Sequence, residues 1–383
     1  MFYVIILLFG CTALAYLGAP KKHAEVENQR INQGFVIDIS SVAFLALLII
    51  LVCFCGLRTF MNDTATYLEN YEQSIPNNFS EVFNLDWSLG ANPLFITYQI
   101  VLKSIFSANG QMFIFFSAMI TVTSMVIFVR KKSENFGFSV YLFLAFGVYA
   151  FAMSAMKQSL ATAIGIWAVP FFLNGKKIRA ILLLLVAMLI HPYVFVFVAL
   201  FFLKNNVWDK KAVIIIILTI ISSVAFSSII ERIINLTSII GDNYDLTSFE
   251  SNGINIFRVL VYLVTPILSY VFRREIRKEN NCFLNLCVNF SLISACFMLI
   301  AVSGGAVLIG RMANYYGVFT CISLPMVISI GFSETSLKKP ITFLAFVFFF
   351  VFYLVSYSKY YPSLEYMFAD YYAHVPITEL FRG

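Results

Sequence analysis

Charge is scarce in this sequence. Only 12% of its 383 residues are Asp, Glu, Lys or Arg, roughly half the share a soluble chain carries. Apolar residues make up 60%, and Phe alone accounts for 42. Such a chain cannot cover itself with polar groups in water, which excludes a soluble domain. Metal-ligand spacing is missing as well. The seven Cys lie mostly inside apolar blocks (Cys11, Cys53, Cys55, Cys287, Cys296, Cys321) and form no zinc or redox pattern. They read as small buried hydrophobes, and neither a metal nor a cofactor is expected. The alternation of a membrane barrel is absent. So is any internal repeat, which weighs against transporter folds built from repeated halves.

What is present is a succession of long apolar blocks separated by short charged gaps. About 20 apolar residues at 1.5 Å rise cross a ~30 Å hydrocarbon core. Backbone groups inside lipid must be satisfied within the segment, so the blocks are helices. The expectation is an all-α polytopic integral membrane protein with about 10–12 transmembrane helices, one membrane domain over 1–383. The first block ends in Ala13-Leu14-Ala15, which mimics a cleavage site. Lys21-Lys22 follows the block and no cation precedes it. That is the reverse of signal-peptide polarity, and it reads as an uncleaved span.

The net charge of +6 does not indicate a nucleic-acid partner, because the cations sit in clusters at segment ends. The gaps 19–34, 130–135, 174–179, 204–211, 273–280 and 332–339 hold 18 of the 26 Lys and Arg. The positive-inside rule puts them in the cytoplasm. Segments 58–90, 231–253 and 358–383 hold 12 acids against four bases and read as two outer loops and an outer tail. Single crossings then fit 1–18, 35–57, 111–129, 136–152, 158–173, 212–230, 254–272, 283–303, 308–331 and 340–357. Residues 91–107 are too short and read as a half-helix or an interfacial helix. Residues 180–203 have basic residues at both ends and are broken by His191-Pro192. A re-entrant hairpin keeps both ends inside; a plain crossing fits the length but inverts every later loop.

Five cations stand outside those clusters or at their edge: Arg58, Lys103, Lys157, Arg258 and Arg311. On this map all five fall at outer helix ends or in the outer half-helix. Charge is costly in the bilayer and marks function there; together the five would make an anion site. Each also has a plain reading, snorkelling for Arg58 and Lys103, a loop cap for Lys157, and ion pairs for Arg258 and Arg311. His191, mid-block beside a Pro, is either a satisfied core histidine or a proton carrier lining a cavity. His23 and His374 read as solvent-facing. Asp63, Tyr67, Asn70 and Tyr71 make one helical stripe. A carboxylate, an amide and phenols suit a sugar, whose hydroxyls need donors and acceptors and whose rings stack on aromatics.

Four segments now carry a resemblance. Arg58, then Asp63 and Tyr67, open the first long outer loop. Met156-Lys157-Gln158-Ser159-Leu160-Ala161 starts a helix. His191 follows the basic turn Lys176-Lys177, and Gly310-Arg311 precedes Tyr315. The chain resembles, over roughly 40–330, the EpsG-like branch of the Wzy polysaccharide polymerases. It departs at Lys157, where the family has Arg: the charge stays but the bidentate fork is lost. It departs again at Pro192-Tyr193, where small residues are commoner.

The resemblance implies a C-type glycosyltransferase-like membrane enzyme. It would polymerise undecaprenyl-diphosphate-linked oligosaccharides at the outer leaflet of the cytoplasmic (inner) membrane into O-antigen, capsule or exopolysaccharide. Expected partners are the lipid-linked units, membrane lipid, a chain-length regulator and a flippase. The expected catalytic residues are Asp63, His191 and Arg311. Arg58, Lys157, Arg258 and Arg311 are expected to hold the diphosphate, and Tyr67, Tyr71 and Tyr315 the sugar. Three other readings stay open: a flippase or exporter of the lipid-linked unit, a ligase passing finished glycan to another acceptor, and a structural subunit of an envelope complex.

Overall fold

The computed structural model describes residues 2–20, 38–226, 228–230, 232, 253–305 and 308–359. All but the edges of the expected loop 231–253 and tail 358–383 lie outside these residues. So do His23, His374 and most of the gap 19–34.

The described chain is helical. In order it runs through α1 (Phe2–Leu17), α2 (Ile39–Gly56), α3 (Thr64–Glu69), α4 (Pro93–Ile105), α5 (Gly110–Lys132), α6 (Phe136–Ala145) and α7 (Val148–Ser154). Then come α8 (Met156–Gly165), α9 (Ala168–Leu173), α10 (Lys177–Ile190), a 3-10 segment (Pro192–Phe201) and α11 (Lys210–Val224). The last are α12 (Ile256–Val271), α13 (Arg273–Lys278), α14 (Cys282–Ile300), α15 (Ile309–Met312), α16 (Gly317–Gly331) and α17 (Lys338–Lys359). Polar residues set the helix starts: Asp38, Asn109, Asn135, Asp209, Asn255 and Asn281 each accept a backbone N–H from the first turn. Each satisfies a donor the helix itself leaves orphaned. Arg130, Lys131 and Lys132 close α5, where cations complement the helix dipole.

Among the described residues six helices are long and apolar enough to cross a membrane, taking 156–173 and 309–331 as one helix each. Counting the pair α6–α7, bent by 47°, makes seven. The bend falls at Gly147, whose φ of +94° suits a residue without Cβ. α1 and α12, at 16 residues each, are about 24 Å long and would cross only a thin core. α14 and α16 sit in the middle, packed on each other, with α12 and α11 outside α14 and α6 against α16. Exposed Leu, Ile, Val and Phe of α1, α2, α11, α12 and α17 face outward. The protein is a multi-pass membrane protein.

The segment 177–203 returns to the end from which it starts. α10 leaves the turn after α9, and at the far side of the break Phe201 stacks edge-on against Phe172 of α9 at 4.9 Å. Lys204 Nζ lies over the same ring. Beyond it, Arg277 donates to the Val207 carbonyl at 3.0 and 2.8 Å and Asn289 to the Leu203 carbonyl at 2.7 Å. The legs thus meet at the end that carries the basic loops, and His191 is the apex. Pro192 forces the residue before it out of helical geometry, and His191 is extended (φ −152°, ψ 112°). Single cysteines at K176C and N205C are expected to react with an impermeant maleimide from one face of the membrane, and N62C from the other. Labelling of K176C and N205C from opposite faces would turn the hairpin into a crossing.

The segment 91–107 forms only the 13-residue α4. Its Lys103 is no snorkelling cation and takes no part in an anion site. The ammonium is buried and donates to the carbonyls of Tyr71 (2.8 Å), Glu72 (2.8 Å) and Ile75 (2.7 Å). All three of its protons are used inside the protein.

Candidate active site at the end opposite the basic loops

The ends of α2, α8, α12 and α15 that lie away from the basic loops converge with the apex of the hairpin and with α3. Asp63 sits at the N-cap of α3, after Asn62, which adopts a left-handed conformation (φ 49°). Its carboxylate makes no capping bond to α3. Instead Oδ2 lies 3.7 Å from Arg311 Nη2, with side chains 40% and 38% exposed. One turn on, Tyr67 is half-buried and edge-on to Phe95 at 6.2 Å. Burial pushes the Tyr67 phenol up. The Lys157 backbone amide, which bonds to it, acts the other way, as do the charges of Arg311 and Arg58, while Asp63 adds to the rise.

Arg311 is fixed by its main chain. Buried Gln158 of α8 donates from Nε2 to the Arg311 carbonyl at 2.8 Å. Asn314 Nδ2 reaches the Gly310 and Arg311 carbonyls at 3.4 and 3.5 Å. Asn314 Oδ1 in turn accepts from Tyr262 of α12 at 3.1 Å. Arg258 stands one turn before Tyr262 on the same face of α12 and is half-buried. His191 Nδ1 is 3.2 Å from the Tyr315 hydroxyl, and the charges of Lys157 and Arg311 both bear on its ring.

Burial divides the nine expected site residues. Asp63, Tyr67, Lys157, His191, Arg258 and Arg311 are half-exposed and share this end of the bundle. The other three are enclosed, with side chains that a large ligand does not reach in this structure. Arg58 is 1% exposed. Its Nε donates to Thr64 Oγ1 at 3.1 Å and its Nη1 to the Cys55 carbonyl, so it ties the end of α2 to the start of α3. Burial lowers its pKa, and the neighbouring Cys55, Tyr149 and Tyr67 oppose that fall. Tyr71 is fully buried, stacked on Phe113 at 4.8 Å and 2°, with its hydroxyl donated to the Ser107 carbonyl at 2.8 Å. Tyr315 is also fully buried, with its hydroxyl 3.2 Å from His191 Nδ1.

Gln158, Asn314 and Tyr262 escape a reading by charge. Gln158 stands inside the segment singled out at 156–161, but its partner is a carbonyl 153 positions away. Among the described residues no three His, Cys, Asp or Glu come together in a metal-binding group.

The fold and this cluster define a multi-pass helical membrane protein with cations, a carboxylate and a histidine gathered at one end of its helices. The family model of the EpsG family matches residues 41–371, and the chain belongs to that family. No curated protein and no solved structure matches it.

Proposed function

We propose that the protein is a membrane glycosyltransferase that joins prenyl-diphosphate-linked oligosaccharide units into a surface polysaccharide, O-antigen, capsule or exopolysaccharide, at the outer leaflet of the cytoplasmic membrane. The observation that carries this reading is the gathering of Arg311, Lys157 and Arg258 with Asp63 and His191 at the end facing away from the basic loops, in a chain of the EpsG family. A hydroxyl oxygen of one unit attacks C1 of the sugar on another. The C1–oxygen bond to the diphosphate breaks, and the electron pair leaves with undecaprenyl diphosphate. Arg311, Lys157 and Arg258 meet the charge that develops on the leaving group. The hydroxyl proton passes to Asp63, with His191 as the second acceptor within the cluster. Tyr67 offers a ring and a hydroxyl to the sugar.

Reconstitution tests the reading. In liposomes carrying undecaprenyl-diphosphate-linked units on the site's face alone, the purified chain is expected to build a ladder of longer lipid-linked glycans. Movement of the units to the other leaflet without elongation would make it a flippase. Transfer only to an acceptor other than a second lipid-linked unit would make it a ligase.

A further inference from the structure

Asp63 and Arg311 are the expected base and the foremost expected diphosphate ligand, yet they face each other. Their separation of 3.7 Å and their exposure make this a weak pair, screened by solvent. Two features show that it is a chosen arrangement. Asp63 stands at the N-cap of α3, where a carboxylate ordinarily accepts amide hydrogens, and accepts none. The main chain of Arg311 is clamped by Gln158 and Asn314, so the guanidinium is free to change partner without moving its helix. Among the described residues Asp63 is its one ion-pair partner.

We infer that the Asp63 carboxylate is a built-in stand-in for the substrate's diphosphate, occupying Arg311 until a diphosphate displaces it. The inference rests on the reading of this cluster as a diphosphate site and adds to it the order of events. A diphosphate carries more charge than one carboxylate and offers several oxygens to the planar guanidinium fork, so it wins Arg311. The displaced carboxylate is then beside the seated donor, available to a hydroxyl proton. Until then the same carboxylate faces Arg311. The proton acceptor is thereby released by the arrival of the group that will leave.

The test is an equilibrium measurement on the full chain in detergent, with farnesyl diphosphate and inorganic pyrophosphate as separate probes. Removing a competitor strengthens binding. D63N, which keeps the shape and the capping ability of Asp63, is expected to bind farnesyl diphosphate about three- to fivefold more tightly than wild type, the gain that an exposed ion pair of this kind converts to. R311Q is expected to weaken binding of both probes and to erase the effect of D63N in the double variant. A matching gain with pyrophosphate assigns the competition to the diphosphate; a gain with the prenyl compound alone overturns it. Unchanged or weaker farnesyl diphosphate binding by D63N overturns the inference while leaving the cluster a diphosphate site. Failure of wild type to bind either probe overturns both.

Discussion

Arg311→Ala is expected to cut polymer formation by about 10²–10³-fold, the loss typical of removing one preorganised donor to developing negative charge, while the protein accumulates normally in the membrane. The two halves of that expectation come from different parts of the residue. The guanidinium is exposed and engaged only in a weak pair with Asp63, worth about 0–1 kcal/mol. The structural bonds from Gln158 and Asn314 end on backbone carbonyls, which alanine keeps. Arg311→Lys retains the charge but not the planar fork and is expected to fall between the two. Glycan ladders from cells with matched protein levels supply the measurement. Wild-type chain lengths from the alanine variant would remove Arg311 from the chemistry.

Lys103→Met is expected to have the largest effect on folding, from a residue that touches no substrate. The ammonium satisfies three carbonyls with bonds of 2.7–2.8 Å. Methionine fills the same volume and leaves all three without a donor, at about 1–3 kcal/mol for each that stays buried. The damage would spread through Glu72, whose Oε1 accepts the Gly110 N–H at the start of α5 with a 2.9 Å bond. It would also reach Asp63 and Tyr67, which lie on the same short segment. Thermal unfolding in detergent should show a clear fall in midpoint, accompanied by loss of polymerisation. A variant that melts like wild type would mean that water replaces the ammonium.

The helices were the most legible part of the chain, because lipid imposes a length and a composition that no other environment asks for. Blocks read at 111–129, 283–303 and 340–357 correspond to α5, α14 and α17 within a few residues. The break at His191-Pro192 was legible from proline chemistry. The 47° bend at Gly147 was not, since a glycine in an apolar run is a weak sign.

At the site, sequence grouped the cations by their distance from the basic loops but could not grade their burial. Arg58 and Arg311 look alike as basic residues at helix ends. They differ because the turn after α2 folds over Arg58 and brings Thr64 onto its Nε. The stripe from Asp63 to Tyr71 fails for a geometric reason. It assumes 3.6 residues per turn, but α3 ends at Glu69 and Asn70–Ser74 wind as a π-helical turn. Tyr71 lies in that turn and stacks on Phe113. The role of Lys103 was invisible because its acceptors are main-chain groups about 30 positions earlier, and no side-chain pattern records them.

The hairpin at 177–203 has a consequence for how such proteins diversify. Both legs begin and end on one side, so residues added or removed near Pro192 would shift the height of the tip without reversing the orientation of any later helix. A comparable change in the length of a true crossing disturbs its fit to the bilayer. The height of His191 can therefore change independently of the orientation of the helices that follow.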